Sequence, residues 1–330
     1  MQFAMIQRVF DDGTGAACNF AGQGDRFDFT HSRRSAASAW FGLLLAGCIA
    51  IFGWGLSGPV AAQEGVESRY FHSSGVDLRY IDVGNGEPVL LMHGFTSRLD
   101  LWNATGVIDG LVEAGSRVIA YDARGHGESD KPREPGQYGV NDVEDTLRLL
   151  DHLSVERAHV VGHSRGASIA SRLVVRYPAR IRSVVFAGWA VGNPVDTLPV
   201  DQCRAIADSI AESELPSDLM RALQSDDAPD PDPAQQARMA ERIVAGNDMK
   251  ALGAAFRSGC GAGGVTADDL AASGVAMLAM VGAHDGMVAS VRTMGRAMGD
   301  ALELFVIPGA DHYTLLGHPG FVDRLASFLE

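Results

Sequence analysis

The stretch VVGHSRGASIASRLVVRYP, residues 160–178, joins an apolar strand pattern directly to a helical pattern. The junction is GHSRG, with Ser164 at its centre. A strand that turns at once into a helix forces the corner residue into a strained conformation, usually with positive φ. Flanking glycines let neighbouring backbone approach, and the hydroxyl lies at the helix N-terminus, where negative charge is favoured. This context predicts that Ser164 is a nucleophile, and a helix-capping serine is the alternative.

Short apolar runs, most of them rich in valine and isoleucine, predict seven strands. They cover residues 76–82, 88–94, 116–122, 157–163, 181–188, 275–282 and 302–309. Continuous apolar runs are typical of strands buried on both faces, as in a parallel sheet. Helical patterns lie between them, at about 101–114, 141–152, 165–177, 288–298 and 321–329. Because strands and helices alternate, we predict an α/β fold with helices on both sheet faces.

The alternation breaks between Trp189 and about residue 272. This segment is helical in pattern but contains SDDAPDPDPA, a loop too rich in proline and aspartate to continue a helix. We interpret residues 190–272 as a helical cap over one end of the sheet.

A nucleophilic serine needs a base, because its hydroxyl attacks slowly unless a base takes its proton. The segment PGADHYTLLGHP follows the last predicted strand and offers His312 and His318. His312 is the better candidate because it lies at the strand end, whereas His318 lies further into the next segment.

An acid that orients the base is expected at the end of the preceding strand. That strand runs into AHDGMV, which offers Asp285, and no carboxylate ends the earlier strand at FAGWAVGN. Asp311 is adjacent to His312 in sequence, and we predict a loop or capping role for it.

The chain order Ser164, Asp285, His312, with each residue at a strand end, resembles the α/β-hydrolase superfamily. The segments HGFT (93–96) and YDARGHGESD (121–130) add to this resemblance, which covers nearly all of residues 66–330. It implies an eight-stranded, mostly parallel sheet flanked by helices. It also implies an oxyanion hole formed by the backbone N–H groups of Phe95 and Arg165. His93 is expected to brace the loop rather than act as a base.

The resemblance further implies a serine hydrolase that cleaves carboxylic esters through an acyl-enzyme, without a cofactor. Dehalogenases and epoxide hydrolases of the superfamily carry aspartate where this chain has Ser164. Alternatives with the same residues are C–C bond hydrolases, lactonases and perhydrolases, and a non-catalytic ligand-binding receptor is a further one. Phe95 and Trp189 are expected to line the substrate pocket, although Trp189 could equally serve as hinge packing.

Arg165 departs from the family pattern, in which an apolar residue is commoner after the nucleophile. Its backbone can still serve the oxyanion hole. Its side chain either reaches the pocket and favours an acidic substrate, or pairs with acids of the cap.

The charge composition of the chain excludes some classes of binding partner. The formal net charge is −14 and the pI about 5.1, and an acidic surface repels phosphate backbones, so we expect a small-molecule substrate and no nucleic acid. The predicted chemistry needs no metal, and the chain has no cysteine cluster that would bind one.

Residues 1–62 form a predicted leader, followed by the hydrolase domain at 63–330. Residues 35–63 carry no charge, follow Arg33 and Arg34, and end in VAAQ, which is typical of a cleaved export signal. The alternatives are an uncleaved anchor that attaches the protein to a membrane and a lipid anchor at Cys48. We therefore predict a periplasmic or secreted protein. Cys203 and Cys260 remain after cleavage, either as one disulfide or as two thiols.

Overall fold

The computed structural model describes residues 67–193, 195–213, 223 and 232–330. The predicted leader and its boundary at residue 62 lie outside this part of the chain, as does most of the acidic, proline-rich loop. Among the described helices, none is both long and apolar enough to cross a bilayer.

One sheet of eight strands, ordered β1-β2-β4-β3-β5-β6-β7-β8, forms the centre of the described domain. The strands are β1 Arg69–Ser73, β2 Val76–Val83, β3 Pro88–Met92, β4 Arg117–Tyr121, β5 Ala158–His163, β6 Ile181–Ala187, β7 Ala276–Gly282 and β8 Glu303–Ile307. The β1–β2 and β2–β4 pairs are antiparallel, and all later pairs are parallel. The predicted α/β class with a mostly parallel eight-stranded sheet is therefore confirmed.

Both faces of this sheet are covered, and the side-chain alternation of a strand divides its residues between them. In β3, Leu90 and Met92 belong to the hydrophobic cluster on one face, and Val89 and Leu91 to the cluster on the other. Because both sets are buried, β3 shows no polar alternation in its sequence. The described helices are α1 Asp100–Ala104, α2 Val107–Glu113, α3 Val140–His152, α4 Arg165–Arg176, α5 Val200–Ala211, α6 Pro233–Gly246, α7 Met249–Gly259, α8 Ala267–Ala272, α9 Val288–Met298 and α10 Pro319–Leu329. Of these, α1 to α4 and α8 to α10 contribute residues to the two clusters.

Two elements differ from the sequence predictions. Strand β1 was not predicted, because RYFHS is an edge strand whose buried residues alternate with exposed polar ones. The single helix predicted at 101–114 is two helices, α1 and α2. They are separated at Gly106, whose φ of 74° is a left-handed conformation that ends a helix and suits glycine.

Between β6 and β7 the chain forms α5, α6, α7 and α8. Helices α5 and α7 pack against each other and are joined by a disulfide between Cys203 and Cys260. Of the two alternatives for these cysteines, one disulfide or two thiols, the structure has the disulfide. Helix α8 instead contacts α4 and α9, and its Leu270 is buried in the core on that sheet face. The helices α5 to α7, called the insert helices below, are the ones that reach the site described next.

Candidate active site

Ser164 lies at the corner between β5 and α4, with φ 52° and ψ −115°. This conformation is costly for a residue with a side chain and persists only where the surroundings hold it. Three backbone hydrogen bonds do so. The Ser164 N–H donates to the Ala187 carbonyl at 2.8 Å, and the Ser164 carbonyl accepts from Ala167 at 2.9 Å and Ser168 at 3.1 Å. The strained corner is therefore part of the sheet–helix junction and presents the Ser164 side chain at its tip.

The two glycines of GHSRG are required by close packing at this corner. A Cβ on Gly166 would lie 2.1 Å from the Met92 carbonyl oxygen, and one on Gly162 would lie 2.5 Å from the Ala167 Cα. Neither backbone group can move without shifting β3 or α4. The pattern Gly-x-Ser-x-Gly thus has a steric cause in this chain.

His312 and Asp285 form a buried pair next to this corner. The His312 Nδ1 lies 3.0 Å from the Asp285 Oδ2, and the two residues are 3% and 0% exposed. The other carboxylate oxygen, Oδ1, accepts the Met287 backbone N–H at 2.8 Å. A carboxylate at Nδ1 accepts the Nδ1 proton of the neutral imidazole and so leaves Nε2 without one. Gly188 packs beside the pair, and a Cβ there would lie 3.2 Å from atoms of both residues.

A cavity of about 470 Å³ brings these elements together. Its lining includes Ser164, His312, Phe95, Trp189 and Arg165, all of which were selected from the sequence. Asp285 is not in the lining and lies behind His312. The remaining wall is largely apolar and comes from α4, the insert helices and the loop after β7.

Phe95 and Trp189 occupy different positions in this wall. Phe95 is partly buried and packs against the insert helices, with its ring centroid 5.8 Å from that of Phe256. Trp189 is 5% exposed and packs on Phe186 at a centroid distance of 5.3 Å. Trp189 therefore contributes to the core as well as to the cavity wall.

The loop after β3 approaches the serine closely enough to offer a backbone donor. A Cβ on Gly94, the residue before Phe95, would lie 3.3 Å from the Ser164 Cβ. The other expected donor, the Arg165 N–H, is the first of α4, and first-turn N–H groups have no acceptor within their own helix. Gly94 thus lies against the serine corner, and Phe95 and Arg165 both line the cavity there.

His93 holds this loop. Its Nδ1–H donates to the Gly94 carbonyl at 2.8 Å and its Nε2 accepts the Ala123 N–H at 3.0 Å, so it bridges the loops after β3 and β4. Burial lowers the pKa of His93, which favours the neutral ring that this pattern requires. Both ring nitrogens are used, as a bracing role demands.

His163 makes a contact with His312 that was not predicted from the sequence. Its Nε2 lies 3.2 Å from the backbone carbonyl oxygen of His312, which is 149 residues away in the chain. Burial, with a smaller contribution from the nearby His312, lowers the pKa of His163 to about 3. The ring is therefore neutral above that pH and donates its Nε2 proton to the carbonyl. Its place inside GHSRG was visible in the sequence, but nothing there indicated its partner.

The buried, neutral His163 should make stability depend on acid. The ordinary pKa of histidine is about 6.5. Between that pH and about 3, the His163 ring therefore binds a proton in the unfolded chain but not in the native state. Stability therefore falls as pH falls through this window, by up to about 1.4 kcal/mol per pH unit for one proton. We expect His163→Gln, which keeps a donor but cannot titrate, to reduce the slope of unfolding free energy against pH between pH 5.5 and 4.

Urea unfolding of the two proteins across that range is the measurement. His152→Gln, which removes an exposed histidine, is the matched control. Identical slopes for wild type and His163→Gln would contradict this assignment of the neutral ring.

Asp311 and His318, the two other candidates near His312, both accept hydrogen bonds from neighbouring backbone N–H groups. The Asp311 Oδ1 accepts from the Thr314 N–H at 2.8 Å and the Tyr313 N–H at 2.9 Å, which is a capping pattern. The His318 Nδ1 accepts the Gly320 N–H at 3.1 Å at the start of α10. His312 alone of the two histidines pairs with Asp285.

Arg165 is one of the residues that line the cavity. Its Nη2 donates to Asp142 Oδ1 at 2.9 Å. Asp142 belongs to α3, so the expectation that acids of the cap would pair with Arg165 is wrong.

Comparison with known proteins agrees with this architecture. The model of the α/β-hydrolase-fold family matches residues 87–201. Bifunctional epoxide hydrolase 2 of Sus scrofa is 29% identical over 163 residues, or 46% of this chain and 29% of that protein. The 2-hydroxy-6-oxononadienedioate/2-hydroxy-6-oxononatrienedioate hydrolase of Paraburkholderia phymatum is 32% identical over 151 residues, or 44% of this chain and 52% of that protein.

A solved structure from work on carboxylesterases of Nitrososphaera gargenis superposes with a TM-score of 0.62 at 24% identity, covering 79% of this chain and 97% of that one. The matched segments span less than two thirds of the length of the two curated relatives. Residues 87–201 therefore match the α/β-hydrolase-fold family, and the solved structure supports the same fold for the described domain.

Proposed function

We propose that this protein is a serine hydrolase that cleaves carboxylic esters through an acyl-enzyme intermediate. The observation that carries the proposal is the buried hydrogen bond between His312 and Asp285 at a cavity that Ser164 also lines. This arrangement supplies a nucleophile, a base and an acid that orients the base.

In the first half of the reaction, the Ser164 oxygen attacks the ester carbonyl carbon while His312 Nε2 takes the hydroxyl proton. The carbonyl oxygen becomes an oxyanion, which the N–H groups of Phe95 and Arg165 stabilise. These donors act on charge that develops only in the transition state, and loss of one such donor typically costs about 3–4 kcal/mol. The intermediate collapses when the C–O bond to the alcohol breaks and His312 returns its proton to the leaving oxygen.

In the second half, water attacks the acyl-enzyme and His312 takes the proton of that water. The new tetrahedral intermediate releases the carboxylic acid, and Ser164 recovers its proton. Asp285 stays ionised throughout, because its role is to hold the Nδ1 proton and stabilise the transient imidazolium. The chain's own groups complete this cycle without a cofactor.

A second candidate is hydrolysis of a C–C bond next to a ketone, which uses the same three residues. The 32% identity to the oxo-diacid hydrolase of Paraburkholderia phymatum favours keeping it. Epoxide hydrolysis is less well supported despite the epoxide hydrolase relatives, because those enzymes carry aspartate where this chain has Ser164.

A three-substrate panel separates these functions. We expect release of 4-nitrophenol from short-chain 4-nitrophenyl esters at a rate well above that for a vinylogous 1,5-diketone or for styrene oxide. Faster turnover of the diketone would replace the proposal by C–C hydrolysis. Ligand-induced stabilisation without turnover of any substrate would indicate a non-catalytic receptor.

We also propose that the protein is exported. The uncharged segment 35–63 and the Cys203–Cys260 disulfide support this, because disulfides persist mainly in oxidising compartments. Fractionation of the native host should find the protein outside the cytoplasm, and recovery of the reduced chain in the cytoplasm would contradict export.

A further inference from the structure

We propose that the Arg165 side chain binds a free carboxylate of the substrate, so that the preferred substrates are esters bearing a second, ionised acid group. This inference rests on the proposed ester hydrolysis, since it concerns the same cavity. It assigns a specificity role to the residue next to the nucleophile, beyond the role of its backbone N–H.

The first support is an unused donor. The Arg165 side chain is only 16% exposed, and its Nη1 is buried with no hydrogen-bond partner among the described residues. A buried guanidinium N–H without an acceptor is costly, and cores rarely tolerate one. Because Arg165 lines the cavity, a small shift of the guanidinium would bring Nη1 to an acceptor carried by a ligand there.

The second support is that Asp142 accepts a hydrogen bond from only one of the two Nη groups of the guanidinium. One of its oxygens, Oδ1, accepts from Arg165 Nη2, while Oδ2 accepts the Gly139 N–H at 2.8 Å at the start of α3. The ion pair is thus made through one oxygen, and Asp142 is held in place by its capping role. Asp142 orients the guanidinium and leaves Nη1 for a second carboxylate, which arginine binds better than lysine does.

The third support is the charge of the neighbouring surface. A second cavity of about 620 Å³ shares Thr96, Met239 and Ile243 with the first and is lined by Arg98, Arg238 and Arg242. Asp232 lies 3.9 Å from Arg238 and offsets part of this charge. Three arginines in one groove of a chain with net charge −14 favour the approach of an anion to the site.

The experiment compares matched pairs of substrates. One member is the mono-4-nitrophenyl ester of a C6 to C8 diacid, and the other carries an isopropyl group in place of the free carboxylate. The measured quantity is the ratio of kcat/KM for the charged and neutral members, after subtraction of spontaneous hydrolysis. We expect the wild type to favour the charged member, and Arg165→Gln to lower the ratio by about 10- to 100-fold, the range for charge-assisted hydrogen bonds.

Asp142→Asn provides the opposite test. It removes the competing negative charge and keeps one amide oxygen, which can accept from either the guanidinium or the Gly139 N–H, so the ratio should rise. Arg165→Lys should give an intermediate ratio and serves if the glutamine variant folds poorly. Arg176→Gln removes an exposed charge from the same helix and should keep the wild-type ratio.

An unchanged ratio in Arg165→Gln, with neutral esters still hydrolysed through Ser164, would overturn this inference and leave the proposed function standing. Ratios that fall alike in Arg165→Gln and Asp142→Asn would show a purely structural ion pair. Failure of the wild type to hydrolyse either ester would overturn both proposals.

Discussion

Replacing Ser164 with alanine is expected to lower kcat for 4-nitrophenyl esters by about 10⁴- to 10⁶-fold. In the proposed mechanism the variant loses the oxygen that forms the acyl-enzyme, while binding and the oxyanion donors remain. The fold should persist, because the three hydrogen bonds that hold the corner come from backbone atoms. The measurement is kcat with a circular dichroism melt of the same preparation.

Ser171→Ala is the matched control for this variant. Ser171 lies on the same helix, but its hydroxyl donates to the Ser168 carbonyl and it is not part of the cavity lining. Its kcat should stay close to that of the wild type. Wild-type turnover by Ser164→Ala would show that another residue is the nucleophile.

Asp285→Asn should have the second largest effect, a fall in kcat of about 10⁴-fold with a small change in KM. The asparagine has the same size and can still accept the Met287 N–H through its oxygen. Its amide would then donate to His312 Nδ1, so the neutral ring would carry its proton on Nε2. That tautomer cannot accept the Ser164 proton, and about 5.5 kcal/mol of transition-state stabilisation would be lost.

Asp311→Asn is the control for this second variant, because Asp311 is adjacent to His312 in sequence but caps the turn at Thr314. We expect a lower melting temperature with kcat within a few-fold of wild type. A larger loss of kcat in Asp311→Asn than in Asp285→Asn would reverse the assignment of the acid.

The placement of the candidate site could be predicted from sequence because a parallel sheet brings the residues after its strands to one edge. Ser164, Asp285 and His312 follow β5, β7 and β8, which run parallel within one continuous part of the sheet. The carboxyl ends of such strands meet at one edge. Each of the three is also a polar residue at or just after the end of an apolar run, which makes it visible in the local sequence. Chain order and strand ends were therefore enough to select all three.

Other features depend on contacts that local patterns do not encode. Strand β1 lacks a continuous apolar run because only one of its faces is buried. The bond from His163 to the His312 carbonyl and the pairing of Arg165 with Asp142 join segments whose proximity only the folded sheet determines. The disulfide between Cys203 and Cys260 likewise needed the packing of α5 on α7 to become visible.

The central claim is that His312, oriented by Asp285, activates Ser164, and covalent labelling with a fluorophosphonate tests it most directly. Peptide mass spectrometry should find one adduct on the wild-type protein, located on Ser164. The adduct should be absent from Ser164→Ala, and its rate of formation should drop sharply in His312→Ala and Asp285→Asn. An adduct on a different residue, or ester turnover by a wild-type protein that the reagent fails to label, would contradict the account.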